Sequence, residues 1–328
     1  MQRELRFQIP KDRAGQSLVN FLAARFPYHT AEGWRERVVA RRVRVNGKAS
    51  DPDYRLATGD ALEYAATDVT EPRVNLDVQI VHDDRDILVV NKPPNLPVHP
   101  GGRYFNHTLW AVLKQRFGLE APLLVNRLDR ETSGLVVVAR TEDAARNCRK
   151  QFADRRVEKR YTALVEGRFP EKIHAAGWLT EDGAATVRKK RLFLAAPPAP
   201  PPDAPDAPEG EWAETDFRLL AVHGPVSEVE IVPLTGRLHQ IRAVLHALGF
   251  PVVGDKLYGP DPTVFLRFCQ ESMTEEDRRL LRLDRQALHA AGLRFRHPRY
   301  GKPLAFDLPL PPDMATLVAE LDTLSHGS

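Results

Sequence analysis

The chain has 328 residues, of which 42% are hydrophobic and 28% charged, and a formal net charge of +3. That composition describes a folded globular protein and excludes a disordered or low-complexity one, and the length admits two domains or one large core with a small module attached. No apolar run approaches the roughly 20 residues that span a bilayer, and Met1-Gln-Arg-Glu-Leu-Arg6 lacks the apolar core of a signal peptide, so a cytoplasmic protein without membrane contact is expected.

Residues 16–66 read as a small separate module. Leu18, Phe21, Leu22 and Phe26 recur at helical spacing, and a second helix is expected from about Ala31 through Val39. Arg42-Val-Arg-Val-Asn-Gly-Lys48 then alternates apolar and basic residues into an Asn-Gly turn, which predicts a hairpin. A further strand ends at Leu62 and Tyr64. Arg35, Arg37, Arg41, Arg42, Arg44 and Lys48 lie close together with Glu36 almost alone against them, and Arg146, Arg149, Lys150, Arg155, Arg156, Lys159 and Arg160 make a second cluster. Such runs are most often solvated faces; two on one near-neutral chain raise a phosphate-binding surface as the competing reading.

Between Ala65 and Asn75 the chain turns polar and suits a linker. Val78–His82 and Asp86–Asn91 read as strands around an acidic turn with Asp83 and Asp84, the second ended by Lys92-Pro-Pro94. Asn95 to Arg103 is a Pro/Gly loop carrying His99, and Thr108 to Phe117 has the spacing of a helix. Leu135-Val-Val-Val138, behind Thr132-Ser-Gly134, reads as a strand buried on both faces. Asp129 therefore sits on the loop feeding a central strand, with Arg127 and Arg130 beside it. Two readings stand: a carboxylate held rigidly yet open to a ligand, or an aspartate ordering a turn.

Thr141-Glu-Asp143 starts a helix whose last turns are expected to carry the second basic cluster, a distribution that the helix dipole alone would also favour. Lys159 to Glu166 alternates as a strand, in which Tyr161 is by itself most simply core packing. Asp182 to Phe193, with Arg188, Lys189, Lys190 and Arg191, reads as an exposed hairpin or a nucleic-acid contact. The proline-rich tract 196–211 is expected to be extended or disordered, an insertion within one domain, because Glu214–Val222 and Ser227–Pro233 resume strand alternation. Gly236 leaves the backbone free to approach a phosphate ahead of a helix from His239 to Leu248. His239 and His246 are seven apart without neighbouring Cys or Asp, and Cys148 and Cys269 lack CxxC spacing, so no metal site is expected. Ala290–Phe295 and Leu304–Leu308 are closing strands, and a last helix runs from Pro311 to about Leu324.

Asn126-Arg-Leu-Asp-Arg-Glu-Thr-Ser-Gly-Leu135 resembles the signature of the RluA-type pseudouridine synthases, in which the aspartate of His-Arg-Leu-Asp-x-x-Thr-Ser-Gly is catalytic. Val90–Pro100, Glu158–Gly167, Leu234-Thr-Gly-Arg-Leu-His-Gln-Ile-Arg242 and Val253–Gly259 resemble further stretches of that family in the same order. The helix pair and hairpin of the first residues resemble an S4 RNA-binding domain.

The resemblance implies an α+β fold, with a mixed, largely antiparallel central sheet flanked by helices at 69–328 and a small S4-like α/β domain at 1–68. It implies a monomer, without cofactor or metal, that isomerises a uridine of ribosomal or transfer RNA, with ribosomal RNA favoured. Asp129 would be the catalytic carboxylate, Tyr161 would pack on the target base, and Arg242 would pair with Asp129 while Ile241 covers the uracil face. Arg237 is the alternative partner or a phosphate ligand, Arg127 would fill the space of the flipped nucleotide, and His99 would touch RNA near the cleft. Arg35, Arg37, Arg41, Arg42, Arg44 and Lys48 would form the RNA-facing side of the S4-like domain. Two departures from the family pattern, Asn126 and Val244 where histidine is usual, leave the carboxylate in place and bear on RNA contacts. Against this stand an inactive RNA binder and an aspartate-dependent hydrolase; the first has no need of Asp129, Tyr161 and Arg242 together, and the second leaves the basic clusters unexplained.

Overall fold

The computed structural model describes residues 3–26, 29–66, 71–183, 187, 190–196 and 208–326. Most of the proline-rich tract, with Arg188 and Lys189, lies outside the described residues. The chain forms two compact units, one of Met1–Val74 with His99–Arg116 and one of Asn75–Val98 with Phe117–Ser328. This differs from the expected division after residue 68. The physical reason is Glu71, whose carboxylate accepts the backbone N–H groups of Phe105, Asn106 and His107 at 2.7–2.8 Å and ties that segment into the first unit.

The first unit contains β1 (Arg3–Gln8), α1 (Leu18–Arg25), α2 (Ala31–Val39), β2 (Val43–Val45), β3 (Lys48–Ala49), β4 (Ala61–Ala66) and α3 (Leu109–Arg116). Its sheet has the antiparallel order β1-β4-β2-β3. Both helices of the expected pair start at hydroxyl caps, Ser17 accepting from the Asn20 N–H and Thr30 from the Gly33 N–H. The hairpin turns at Asn46 and Gly47, both with positive φ (52° and 76°), which suits the right-handed twist of the flanking strands. Trp34 is fully buried among Leu18, Leu22, Val38, Val43 and Leu62, and its indole N–H donates to the Phe26 carbonyl at 3.1 Å. β1 was not anticipated from the sequence.

The second unit contains β5 (Gln79–Asp83), β6 (Ile87–Lys92), β7 (Leu123–Leu124), β8 (Ser133–Ala139), α4 (Glu142–Ala153), β9 (Glu158–Glu166), β10 (Lys172–Glu181), β11 (Arg191–Ala195), β12 (Glu211–His223) and β13 (Val226–Pro233). After these come α5 (Gln240–Ala247), α6 (Val264–Cys269), α7 (Glu275–Leu281), β14 (Leu288–Arg296), β15 (Pro303–Asp307) and α8 (Pro312–His326). The main path of the sheet runs β11-β10-β12-β13-β9-β14-β8-β6-β5, with β15 added to β14 and β7 to β8. Every pairing is antiparallel except β14 with β8. The α+β class with a mixed, mostly antiparallel sheet is thus as expected.

All seven residues of β8 are buried, which accounts for its unbroken apolar run. Where β8 meets β14 the chains approach so closely that a Cβ on Gly134 (φ +116°) would lie 2.3 Å from the Ala290 carbonyl oxygen. Only glycine fits there, which explains the last member of Thr132-Ser-Gly134. Ser133 shares a hydrogen bond of 2.8 Å with His289, and the Thr132 hydroxyl accepts from the Gln286 amide at 2.6 Å. The motif that precedes the strand is therefore also the seam between two parts of the sheet.

α4 ends at Ala153, so Arg155 and Arg156 lie beyond it, and Lys159 and Arg160 belong to β9; the second basic cluster is not one helical face. β10, α6 and α7 were also unanticipated. No helix among the described residues is long and apolar enough to cross a membrane.

Candidate active site

A cleft of about 660 Å³ opens in the second unit, lined by the Asn126–Asp129 loop, the end of α4, Lys159 and Tyr161 of β9, and the Pro233–Arg242 segment. Asp129 projects into it. The Nη1 of Arg242 donates to Asp129 Oδ2 at 2.8 Å, and the same guanidinium donates through Nε and Nη2 to both oxygens of the buried Asp255 at 2.6 and 2.9 Å. Asp255 also accepts the backbone N–H groups of Leu257 and Tyr258 at 3.0 and 2.9 Å. Arg242 stacks over the Tyr258 ring with its Cζ 5.0 Å from the centroid. A bidentate, stacked guanidinium of this kind has little freedom to move, so its free fork is aimed at Asp129 before anything binds.

The charges follow from this arrangement. Burial pushes the Asp129 carboxyl upward, but the positive charge and hydrogen bond of Arg242 outweigh it, and the net direction is downward. Arg242 is likewise disfavoured as a cation by burial and held charged by Asp255 and Asp129. The Tyr161 hydroxyl is pushed up to about 12, by burial first and by the Asp129 charge second, and stays protonated at neutral pH. His239, capping α5 with φ 57° and sharing a hydrogen bond of 3.1 Å with the Tyr258 hydroxyl, is pushed down to about 4 by burial and is neutral.

Of the residues expected at the site, Asp129, Arg127, Tyr161, Arg237, Ile241 and Arg242 all line this cleft. Arg237 is not a partner of Asp129. Its side chain is taken by the Trp212 carbonyl and the Glu211 carboxylate, each at 3.1 Å, so the alternative pairing is not formed. His99 belongs to the first unit. Asn126 turns inward: its amide donates to the Leu135 carbonyl and accepts the Val137 N–H, pinning the loop to β8. Val244 is a core residue on the buried side of α5.

Four supporting residues escaped the sequence reading. Lys92 is wholly buried and its ammonium donates to the carbonyls of Pro93, Leu96 and Arg130 at 2.8, 2.9 and 3.1 Å, fastening the loop just after Asp129. Burial pushes it down to about 7, yet three carbonyl acceptors match the three N–H bonds of the charged form. The Gln240 amide donates to Glu214 and Thr215 and accepts from Thr235 and the Arg237 N–H, which fixes the loop leading into α5. Asp255 orients Arg242, and Gln286 adds a hydrogen bond that lowers Asp129. The motif Val253-Gly-Asp-Lys256 carried the signal for Asp255. A Cβ on Gly254 would sit 2.0 Å from the Arg285 carbonyl oxygen, so the glycine allows the close approach that buries Asp255.

Among the described residues, Asp84, Asp86 and His297 are grouped closely enough to hold a metal ion. Their lone pairs are already committed. Asp84 accepts from His82, His297 and the N–H groups of Asp86 and Ile87, and Asp86 accepts both arms of Arg299. The His297 Nδ1 accepts the N–H groups of Arg299 and Tyr300, which leaves Nε2 as the donor to Asp84 and without a lone pair for a cation. The cluster ties the β5–β6 turn to the end of β14.

The profile of the RNA pseudouridylate synthase family matches residues 86–247. An uncharacterised RNA pseudouridine synthase of Chlorobaculum parvum is 34% identical over 301 residues, covering 88% of this chain and 88% of that protein. The chain belongs to the RNA pseudouridine synthase family. The ribosomal large subunit pseudouridine synthase D of Haemophilus influenzae is 30% identical to this synthase over 330 residues, covering 97% of the chain and 96% of that relative. Among solved structures, the human RNA pseudouridylate synthase domain containing 1 is similar with a TM-score of 0.55 and 28% identity, over 77% of this chain and 97% of that one. The RluA-type motifs thus identified the family, and this synthase is an isomerase that converts uridine in RNA to pseudouridine.

Proposed function

We propose that this synthase modifies a uridine of large-subunit ribosomal RNA in the cytoplasm, as a monomer, with Asp129 as the catalytic carboxylate. The observation that carries the reading is the ion pair of 2.8 Å between Asp129 and Arg242 inside a cleft whose other charged lining residues are Arg127, Arg155, Lys159 and Arg237. A polyanion is drawn to such a cleft, and the one carboxylate in it is kept ionised against its own burial. The choice of ribosomal RNA follows the relatives whose names specify the large ribosomal subunit.

The reaction breaks N1–C1′, turns the uracil and forms C5–C1′; N1 gains a proton and C5 loses one, so no electrons enter or leave and no redox cofactor is required. Asp129 serves the glycosidic step, and Arg242 holds its charge and position. Tyr161 and Ile241 pack on the detached uracil, and Arg127 fills the gap left when the nucleotide swings out, an extrusion that costs a few kcal/mol. In the first unit we assign RNA capture to an S4-like module. Arg41, Arg44 and Lys48 are exposed there and have no ion-pair partner among the described residues, whereas Arg35 is held by Asp53 and Arg37 by the Gly33 carbonyl.

Deleting the gene and mapping pseudouridine across ribosomal and transfer RNA tests the reading. One site in large-subunit RNA is expected to disappear, and to return with the wild-type gene but not with Asp129→Asn. An unchanged map, or restoration by Asp129→Asn, removes the assignment.

A further inference from the structure

We propose that Lys159 and Arg155 together bind one phosphodiester of the RNA, immediately beside the uridine held over Asp129. The inference rests on the cleft being the RNA site and adds a place for the backbone next to the target. Within the lining, Asp129 is the one carboxylate, and Arg242 occupies it. Arg237 is engaged by Glu211, while Lys159 and Arg155 have no acid partner among the described residues.

Lys159 is half-buried on β9, and its Nζ donates to the Thr235 carbonyl at 3.0 Å, which uses one of its three N–H bonds. Beside it lies Gly236, where a Cβ would stand 3.7 Å from that nitrogen, so any larger side chain would narrow the approach to the ammonium. Arg155 lines the same cleft, and burial first, with the charge of Arg155 second, pushes Lys159 down to about 8. A phosphodiester there would relieve the repulsion.

Arg155 reaches the cleft from the end of α4. α4 ends in a Schellman motif, with the Arg155 N–H donating to the Phe152 carbonyl at 3.2 Å and the Arg156 N–H to the Gln151 carbonyl at 2.9 Å. Arg155 therefore sits at φ 56°, as Arg41 and Glu271 do at the ends of α2 and α6, in a position that commonly takes glycine. An arginine there is tolerated at some cost to the fold, and its side chain lines the cleft.

The test uses the full-length protein and a synthetic RNA segment around the mapped uridine, with natural linkages or with one uncharged methylphosphonate on either side of the target. For the wild type, one of the two neutral linkages is expected to weaken binding about tenfold. Lys159→Met should weaken binding to natural RNA by a similar factor, show no further loss with that linkage, and lower the salt slope of log Kd by about 0.7. Lys159→Arg should keep both the affinity and the slope. Arg155→Gly is expected to raise the melting temperature while raising Kd, a pair of opposite changes that a purely structural arginine would not give. The proposal is overturned if the neutral linkages penalise Lys159→Met as much as the wild type, or if Arg155→Gly leaves Kd unchanged. Competition by inorganic phosphate that is as strong against neutral-linkage RNA as against natural RNA assigns the pair to the free ion and also overturns it. A wild type that modifies no RNA defeats the reading of the cleft itself; a wild type that modifies RNA but ignores the linkage change defeats only this inference.

Discussion

The two walls of the cleft are charged in opposite ways of being finished. On the wall built by α5, backed by the Gly254–Tyr258 turn, Arg242 is shared between Asp129 and Asp255, and Asp255 is capped by two backbone N–H groups. Facing it, at the end of α4 and the start of β9, Arg155 and Lys159 lack an acid among the described residues. The first wall has its electrostatics complete before substrate arrives, as catalysis by preorganised charge requires. The second wall is incomplete by one anion, which suits a surface whose partner is the RNA backbone.

Removing the carboxylate breaks this comparison most strongly. Asp129→Asn is expected to lower kcat by about a thousandfold or more, with RNA affinity largely kept, measured by single-turnover assay beside binding. If turnover falls only with affinity, Asp129 is not the reacting group. Next comes Asp255→Asn, which leaves the buried Arg242 without its bidentate partner and is expected to cost about 3–5 kcal/mol in a denaturant titration. A loss below 1 kcal/mol would mean that Arg242 is not held from this side.

Lys92→Met leaves three buried carbonyls without a donor and is expected to cost roughly 2–4 kcal/mol, and to lower kcat more than it raises KM because the Asp129 loop loosens. The pH dependence has a definite sign. Lys92 has a folded-state value of about 7, below its unfolded value of about 10.4. Between these limits the unfolded chain binds more protons, so this group's contribution to stability rises with pH over that window and is flat below it. Lys92→Met should flatten that slope. For Asp129 the folded value is depressed, so its contribution is complete above the unfolded value of about 3.9 and is lost as pH falls through the folded value. Activity should therefore show no Asp129-linked decline near neutrality.

The smallest effect belongs to the first unit. Arg44→Gln with Lys48→Gln is expected to lower the salt slope of RNA binding by up to about 0.7 per side chain and to change stability by no more than about 0.5 kcal/mol. An unchanged slope would make the exposed face of β2 and β3 a solvated surface and sharpen the contrast in favour of the second unit.

Local patterns made much of the fold legible. The Asn46-Gly47 hairpin, the helices started by Ser17, Thr30 and Thr141, and the buried run of β8 each rest on forces that act within a few residues. α7 was legible in the same way, since Thr274 and Asp277 form a capping box that went unread. β1 and β10 were less so, because each is defined by the strand it pairs with: β4 for one, β11 and β12 for the other. The division between units turned on Glu71 reaching backbone groups more than 30 residues away, a contact that no local pattern announces.

By itself the sequence determined the family and the order of the motifs, because the residues around Asp129 have types and spacing set by one loop and one strand. Only the tertiary structure chose Arg242 over Arg237 as its partner, brought Asp255 behind it, turned Asn126 inward and set Lys92 beneath the loop. Those choices depend on groups between 11 and 113 positions apart meeting out of water, where a charge without a partner is costly and geometry decides which one it takes.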